Sequence, residues 1–217
     1  MKKLLILIAV FMFGTFSMVS AQDLAGMFNI SPFGGLGMPM GDLADDDPEN
    51  DDGLFRKMGF KFGAAAEYFF TPNIGAGLDF LYAIHGAKEI EGEEFDDKLH
   101  TMNIGVHGKY VFMTEGMLRP YGILGVGMTM NKLKDLEEGD ETFEAKIGSK
   151  LYIMGGIGAM YFVSDMISIF GELGFDYMML DGASIEVDGE ETDDEVEANY
   201  YFLDLKVGLN VWFGGTE

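Results

Sequence analysis

The last strand-like stretch of the chain, 201-YFLDLKVGLNVWF-213, decides which fold the sequence can adopt. Every second residue in it is large and apolar, from Tyr201 to Phe213, whereas the positions between them include Asp204 and Lys206. Because side chains alternate across a β-strand, the stretch has one apolar face and one face with ionisable groups. Such a strand fits a soluble protein whose apolar face meets a core, or a membrane barrel whose apolar face meets lipid.

The first residues, MKKLLILIAVFMFGTFSMVSAQ, have the pattern of a secretory signal peptide. Lys2 and Lys3 precede an apolar region, and Val19-Ser20-Ala21 has the small residues of a cleavage site. We therefore predict a cleaved signal peptide over residues 1–21 and one exported domain over residues 22–217. The alternative is an N-terminal membrane anchor, although the apolar run is shorter than the roughly 20 residues that a spanning helix needs. The chain has no cysteine, which excludes a disulfide framework and a lipoprotein anchor.

The chain carries a net charge of −23, and its acidic residues are unevenly distributed. Four stretches hold 28 of the 37 carboxylates, and they span residues 42–52, 89–97, 135–144 and 181–197. Stretches of this kind repel phosphate groups, which argues against binding to nucleic acid.

Segments of strand character lie between the acidic stretches. We predict eight strands, at residues 26–36, 56–70, 74–87, 99–112, 120–132, 149–162, 167–179 and 198–213. The connections alternate between long acidic segments and short turns, which is typical of bacterial outer-membrane barrels. The sequence therefore predicts an all-β fold, an eight-stranded antiparallel up-and-down transmembrane β-barrel. Its short turns would face the periplasm, and its four long acidic loops would be extracellular.

The side-chain pattern of the strands favours a membrane barrel over a soluble one. A soluble barrel of lipocalin type needs polar residues on every water-facing wall, and here those positions are sparse and often glycine. Aromatic residues gather near the predicted strand ends, where they would form the girdles of a membrane barrel. These residues are Tyr68, Phe69, Phe70, Tyr110, Phe112, Tyr121, Tyr161, Phe162, Tyr200, Tyr201, Trp212 and Phe213. The first, fifth and sixth strands are rich in glycine, and their faces stay unassigned.

This arrangement of strands and connections resembles the small outer-membrane β-barrel family, the group of the OmpA transmembrane domain and the OmpX/Ail-type proteins. The resemblance covers about residues 22–217. The last strand is similar to the signal that such proteins present to the barrel-assembly machinery, at Lys206, Gly208, Val211 and Phe213. The resemblance implies a bacterial outer-membrane location, with outer-membrane lipid and the assembly machinery as partners.

An eight-stranded barrel is just wide enough for side chains to fill its interior. The residues that we predict to face the lumen are Lys61, Glu67, Asp79, His85, Asn103, His107, Lys109, Glu172, Asp176, Asp204, Lys206 and Asn210. In one interpretation these side chains form a salt-bridged polar plug, because buried charges need partners. In the other, the carboxylates line a narrow path for ions.

We predict no catalytic residue, no cofactor and no defined metal site. An enzyme of this barrel size needs a nucleophile and a base near the outer rim, but no serine is near His85 or His100 in the sequence. The acidic stretches lack the spacing of a calcium-binding loop. Their carboxylates either bind divalent cations weakly and diffusely or form a solvated, mutually repelling surface.

The expected function is that of a non-enzymatic outer-membrane barrel, with an envelope-structural role or a surface-interaction role through its acidic loops. The alternative is a small cation-favouring pore, and a third hypothesis is a lipid-modifying outer-membrane enzyme.

Overall fold

The computed structural model describes residues 23–41, 56–87, 97–138, 141–180, 182–187, 190–196 and 199–214. These residues form ten β-strands: β1 (Met27–Met40), β2 (Gly59–Phe69), β3 (Ile74–Gly86), β4 (Lys98–Val111), β5 (Leu118–Glu138), β6 (Glu141–Ser164), β7 (Ile167–Met178), β8 (Ala183–Val187), β9 (Glu190–Val196) and β10 (Tyr200–Gly214). The described part of the chain contains no helix that is long and apolar enough to cross a membrane. The predicted signal peptide and the first acidic stretch lie outside the described residues, as does the second acidic stretch except Asp97.

Eight of the strands close into a barrel. Their order around the ring is β5-β4-β3-β2-β1-β10-β7-β6, and pairing between β5 and β6 completes it. All the pairings are antiparallel, and β1 joins β10 from Met27 opposite Gly214 to Met40 opposite Tyr201. The predicted eight-stranded antiparallel barrel is therefore confirmed.

Short turns join β2 to β3, β4 to β5 and β6 to β7, all at one end of the barrel. In the first of these turns, the hydroxyl of Thr71 accepts the backbone N–H of Ile74 at 3.0 Å. We call this the turn end. The opposite end, where the acidic stretches begin, is the loop end.

Two of the predicted acidic loops contain strands, so the predicted strand bounds are wrong at the loop end. β5 extends to Glu138 and β6 begins at Glu141, and the two strands pair as far as Glu138 opposite Glu141. The fourth acidic stretch contains β8 and β9, and β8 pairs with β6 through Ile185 opposite Ile147. Every second residue of β8 is apolar, at Ala183, Ile185 and Val187, which is the pattern of a strand. The many acidic residues of this stretch led us to predict a loop instead.

The outer wall of the barrel is apolar. In β10, Leu205, Val207 and Leu209 are each about half exposed, as predicted for the lipid-facing stripe. The structure also assigns the faces of the glycine-rich strands: Leu124 of β5 is 72% exposed and Ile157 of β6 is 63% exposed. A continuous apolar exterior with a polar interior is the arrangement of a barrel in lipid.

The aromatic prediction is partly wrong, because five of the twelve predicted girdle residues point into the barrel. They are Phe69, Tyr121, Phe162, Tyr200 and Trp212, each almost fully buried. Trp212 lies between Phe69 and Phe162, with ring centroids 5.5 Å from both. Strand-end position alone does not distinguish the two faces, and alternation places each of these residues on the inner face.

Apolar side chains close both ends of the interior. At the turn end, Leu24, Met27 and Met160 pack with the Trp212 cluster, and at the loop end Leu99, Met178 and Phe202 are fully buried. Most of the buried polar residues lie between these two layers, whereas His85 packs against Phe202 in the loop-end layer and Arg119 packs against Phe162 in the turn-end layer.

Candidate functional site

The structure buries the side chains of all twelve residues predicted to face the lumen. Five of them are carboxylates, three are lysines, two are histidines and two are asparagines. They project from β2, β3, β4, β7 and β10. The interior of the barrel is therefore the candidate functional site.

The loop-end part of this site is centred on Lys61 of β2. Its Nζ lies 2.5 Å from Oδ1 of Asp204 and 3.1 Å from Oδ2 of Asp176. The side chain reaches these partners by passing Gly37, where an added Cβ would overlap Lys61 Cε. The ammonium group also lies 4.6 Å from the ring centroid of Phe202. A glycine on β1 therefore allows a cation on β2 to pair with carboxylates on β7 and β10.

The central part of the site is built around His107 of β4. Its Nε2 lies 2.9 Å from Oε1 of Glu67, and its Nδ1 lies 3.1 Å from Oδ1 of Asp79. Only a protonated imidazolium can donate hydrogen bonds from both ring nitrogens, so this geometry fits a charged His107. Lys109 Nζ lies 2.5 Å from the same oxygen of Glu67, and the hydroxyl of Tyr152 donates to Asp79 at 2.7 Å.

A third group of charges contains residues from β7 and β10, and Tyr121 of β5 contacts it. Lys206 Nζ lies 3.2 Å from Oε1 of Glu172, and the hydroxyl of Tyr121 donates to Oε2 of the same carboxylate at 3.0 Å. The ring of Tyr121 also lies 4.6 Å from Lys109 Nζ. Tyr121 therefore joins this group to the His107 group.

Neutral polar residues continue the network toward the turn end. Asn210 donates to the hydroxyl of Ser168 at 2.8 Å, and the indole N–H of Trp212 donates to the same oxygen at 3.0 Å. Ser31 Oγ lies 2.7 Å from Oδ1 of Asn210, and Asn29 donates to Glu67 at 2.9 Å.

Sequence reasoning missed several members of this network. They are Asn29, Ser31, Tyr121, Tyr152 and Ser168. Asn29 and Ser31 alternate with apolar residues, which is the signal that could have identified the inner face of β1.

A small cavity remains inside the polar network. Its volume is about 40 Å³, and Asn103, Asp176, Glu172 and Lys206 contribute to its lining. Both side-chain polar atoms of Asn103, and Oδ1 of Asp176, are buried without a hydrogen-bond partner among the described residues. A cavity of this size holds about one or two water molecules, which would satisfy these atoms.

The other two histidines lie toward the loop end of the barrel. His85, predicted to lie at the rim, is fully buried against Phe202, and its Nδ1 lies 3.3 Å from the carbonyl oxygen of Lys57. His100 contacts the hydroxyl of Tyr82 at 2.6 Å. Among the described residues, no group of three or more acidic or histidine side chains is arranged to hold a metal ion.

Comparison with known proteins identifies one family and several similar folds. The model of the outer membrane protein beta-barrel domain family matches residues 6–213. The barrel is similar to Neisserial surface protein A (NspA), with a TM-score of 0.56 and 15% identity over 87% of this chain and 99% of that chain. OprG from Pseudomonas aeruginosa gives a TM-score of 0.55 and 16% identity, over 90% of this chain and 100% of that chain.

A third solved structure has the same fold. Ail, the attachment invasion locus protein of Yersinia pestis, gives a TM-score of 0.50 and 15% identity, over 87% of this chain and 99% of that chain. No curated protein sequence matches the chain.

Proposed function

The chain belongs to the outer membrane protein β-barrel family, and on that basis we propose that it is a non-enzymatic, non-conducting barrel with a structural or surface-interaction role. The family is one of the bacterial outer membrane, where short turns face the periplasm and longer connections face outward. The loop end is therefore the extracellular end.

The pairing of lumenal charges is the observation that carries this proposal. Lys61, Lys109 and Lys206 each lie within 3.2 Å of a carboxylate, and all three side chains are buried. Breaking a buried ion pair leaves an uncompensated charge, so these contacts resist the rearrangement that would open a path. The apolar layers at both ends of the interior add two further barriers to ions.

The extracellular elements are where an interaction role would be located. β5 and β6 extend beyond the barrel, and β8 and β9 pair alongside them, so a four-stranded sheet continues above the rim. Three successive antiparallel pairings hold this sheet together. A paired sheet presents a more fixed surface than an unstructured loop, which supports a role in binding external partners.

Conductance measurements test this proposal directly. The refolded protein would be inserted into a planar bilayer in salt solution, and insertion would be verified by protease protection of the barrel. We expect no steady conductance from an inserted, folded barrel. Steady cation-selective steps would contradict the proposal.

The charge of the interior gives little support to the alternative function, a small cation-favouring pore. The buried side chains include five carboxylates, three lysines and two arginines, so their fixed charge is close to zero and becomes positive when His107 is protonated. In a pore, replacing Asp79 and Asp176 by Asn would reduce cation selectivity. A plugged barrel carries no current, and there the same double substitution only lowers the free energy of unfolding.

The hypothesis of a lipid-modifying enzyme has less support. His85 is buried beneath Phe202, and His107 is held between two carboxylates in the barrel centre, away from the outer rim. Neither histidine is placed to activate a nucleophile for a substrate in the outer leaflet.

A further inference from the structure

An irregularity in the barrel wall opens a cleft at the extracellular rim. Thr129 of β5 pairs with Lys150 of β6, but Asn131 pairs with Ile147, so β6 contains one extra residue. Such a bulge bends its strand and disrupts the local ladder. The resulting cavity has a volume of about 230 Å³ between β5, β6 and β8.

The lining of this cleft is suited to an anion with several oxygen atoms. It includes the ammonium-bearing side chains Lys132 and Lys146, the hydroxyl-bearing side chains Ser149 and Ser184, and one carboxylate, Glu186. Lysine and hydroxyl groups are donors that recur at phosphate sites. A cleft of this size admits a phosphate group together with part of the molecule that carries it.

The two lysines of the cleft lie opposite one another on paired strands. Lys132 pairs with Lys146 in the β5–β6 ladder, and like charges in this position repel. Lys146 Nζ lies 2.7 Å from Oε1 of Glu186, but both side chains are about 40% exposed, so this ion pair is weak and exchangeable. An anion between the lysines would relieve their repulsion.

Further basic residues adjoin the cleft on the same wall. Lys132 pairs with His100 of β4, and Lys134 pairs with Lys98. The whole chain has only 14 lysine and arginine residues against 37 acidic ones. Five basic residues therefore lie on adjacent positions of three strands, beside the carboxylate of Glu186 in the cleft.

The cleft lies at the height of lipid headgroups. Met128 of β5 and Leu151 of β6 are exposed on the outer wall just below it, at 47% and 41%. Lys132 is four residues beyond Met128, which corresponds to about 13 Å along a strand. Its side chain is on the same outward face as Met128, so it projects toward the lipid that surrounds the barrel.

We propose that this cleft binds a phosphate group of an outer-leaflet membrane lipid, through Lys132, Lys146 and Ser184. The location on the lipid-facing wall, immediately above the apolar band, selects a lipid headgroup over a soluble phosphate compound. Basic residues next to a membrane-spanning segment attract anionic headgroups, and here the cleft adds hydroxyl groups that a bare charged surface lacks.

Binding of bisphosphorylated lipid A tests the proposal. The refolded protein in dodecyl maltoside micelles would be titrated with this lipid, with its dephosphorylated analogue and with inorganic phosphate. We expect tight binding of the phosphorylated lipid alone. Lys132→Gln and Lys146→Gln should each weaken it about tenfold, because each removes one charged donor to the phosphate. Ser184→Ala should weaken it by a smaller factor.

Matched variants separate a specific site from general electrostatics. Lys57→Gln removes one exposed positive charge at the same end of the barrel but outside the cleft, and should leave the affinity unchanged. Glu186→Gln removes the carboxylate that competes for Lys146, and should strengthen binding, whereas Glu115→Gln at a periplasmic turn should not. Heat-dependent mobility on gels would verify that each variant is folded.

Three results would overturn the proposal. The first is equal binding of the dephosphorylated lipid, and the second is an equal loss of affinity in Lys57→Gln and Lys132→Gln. The third is displacement of the lipid by inorganic phosphate at equal concentration, which would exclude a lipid as the preferred occupant.

Discussion

Lys61 on β2 and Asp204 on β10 form an ion pair across the intervening strand β1, with Nζ and Oδ1 separated by 2.5 Å. Both side chains are almost completely buried. The pair depends on Gly37 of β1, which lies opposite Asp204 in the ladder and leaves room for the lysine side chain. Three neighbouring strands thus define one contact in the barrel interior.

Replacing Lys61 by Met should strongly destabilise the barrel. The substitution leaves Asp176 and Asp204 buried together without their shared cation, and removing one member of a buried pair costs about 3–5 kcal/mol. The free energy of unfolding would be measured by urea titration in lipid vesicles. Lys57→Met, at an exposed position on the same end, is the control. Equal urea midpoints for the two variants would show that the buried pairing contributes little.

Replacing Asp79 and Asp176 together by Asn should also lower the free energy of unfolding. Asp79 accepts from His107 and Tyr152, and Asp176 pairs with Lys61, so the double variant weakens two parts of the network. We expect a loss of about 3 kcal/mol or more, since hydrogen bonds to charged groups are worth about 1.5–3 kcal/mol each. An unchanged urea midpoint would contradict the polar plug.

Replacing Gly59 by Ala should destabilise the barrel, because the inner face has no space for a methyl group there. An added Cβ would overlap the backbone oxygen of Ile84 and the ring of His85. Overpacking of this kind costs about 1–3 kcal/mol. Gly108→Ala is the matched control, because a Cβ at this lipid-facing glycine has no neighbour within 4 Å. Heat-induced unfolding followed by gel mobility would compare the two, and a greater loss for Gly108→Ala would refute the assignment of faces.

Trp212 should be shielded from lipid as well as from water. It is the single tryptophan of the chain and is buried between Phe69 and Phe162. Its fluorescence should therefore be insensitive to lipids brominated on their acyl chains. The double variant Trp212→Phe with Phe213→Trp, which moves the indole to the outer face, should be strongly quenched in the same vesicles. Strong quenching of the unmodified protein would mean that Trp212 belongs to the outer girdle.

A strand could be predicted from the sequence, together with its inner face, where apolar and polar residues alternate clearly along it. In β2, β3, β4, β7 and β10, large apolar residues alternate with polar ones, and all twelve residues predicted to face the lumen are buried. The glycine-rich strands β1, β5 and β6 lacked this contrast, so Ser31, Tyr121 and Tyr152 were missed. The extensions of β5 and β6 were hidden for another reason, because their acidic composition resembles that of a solvated loop.

What the sequence determined by itself was the periodicity of the strands, and through it the apolar exterior, the polar interior and the alternation of short and long connections. What only the tertiary structure decided was which interior groups meet. Lys61 and Asp204 are 143 residues apart, and their contact requires ring closure, the register of β1 against β10 and the missing side chain at Gly37. Strand periodicity is a local property of the chain, whereas pairing across a lumen depends on the geometry of several strands at once.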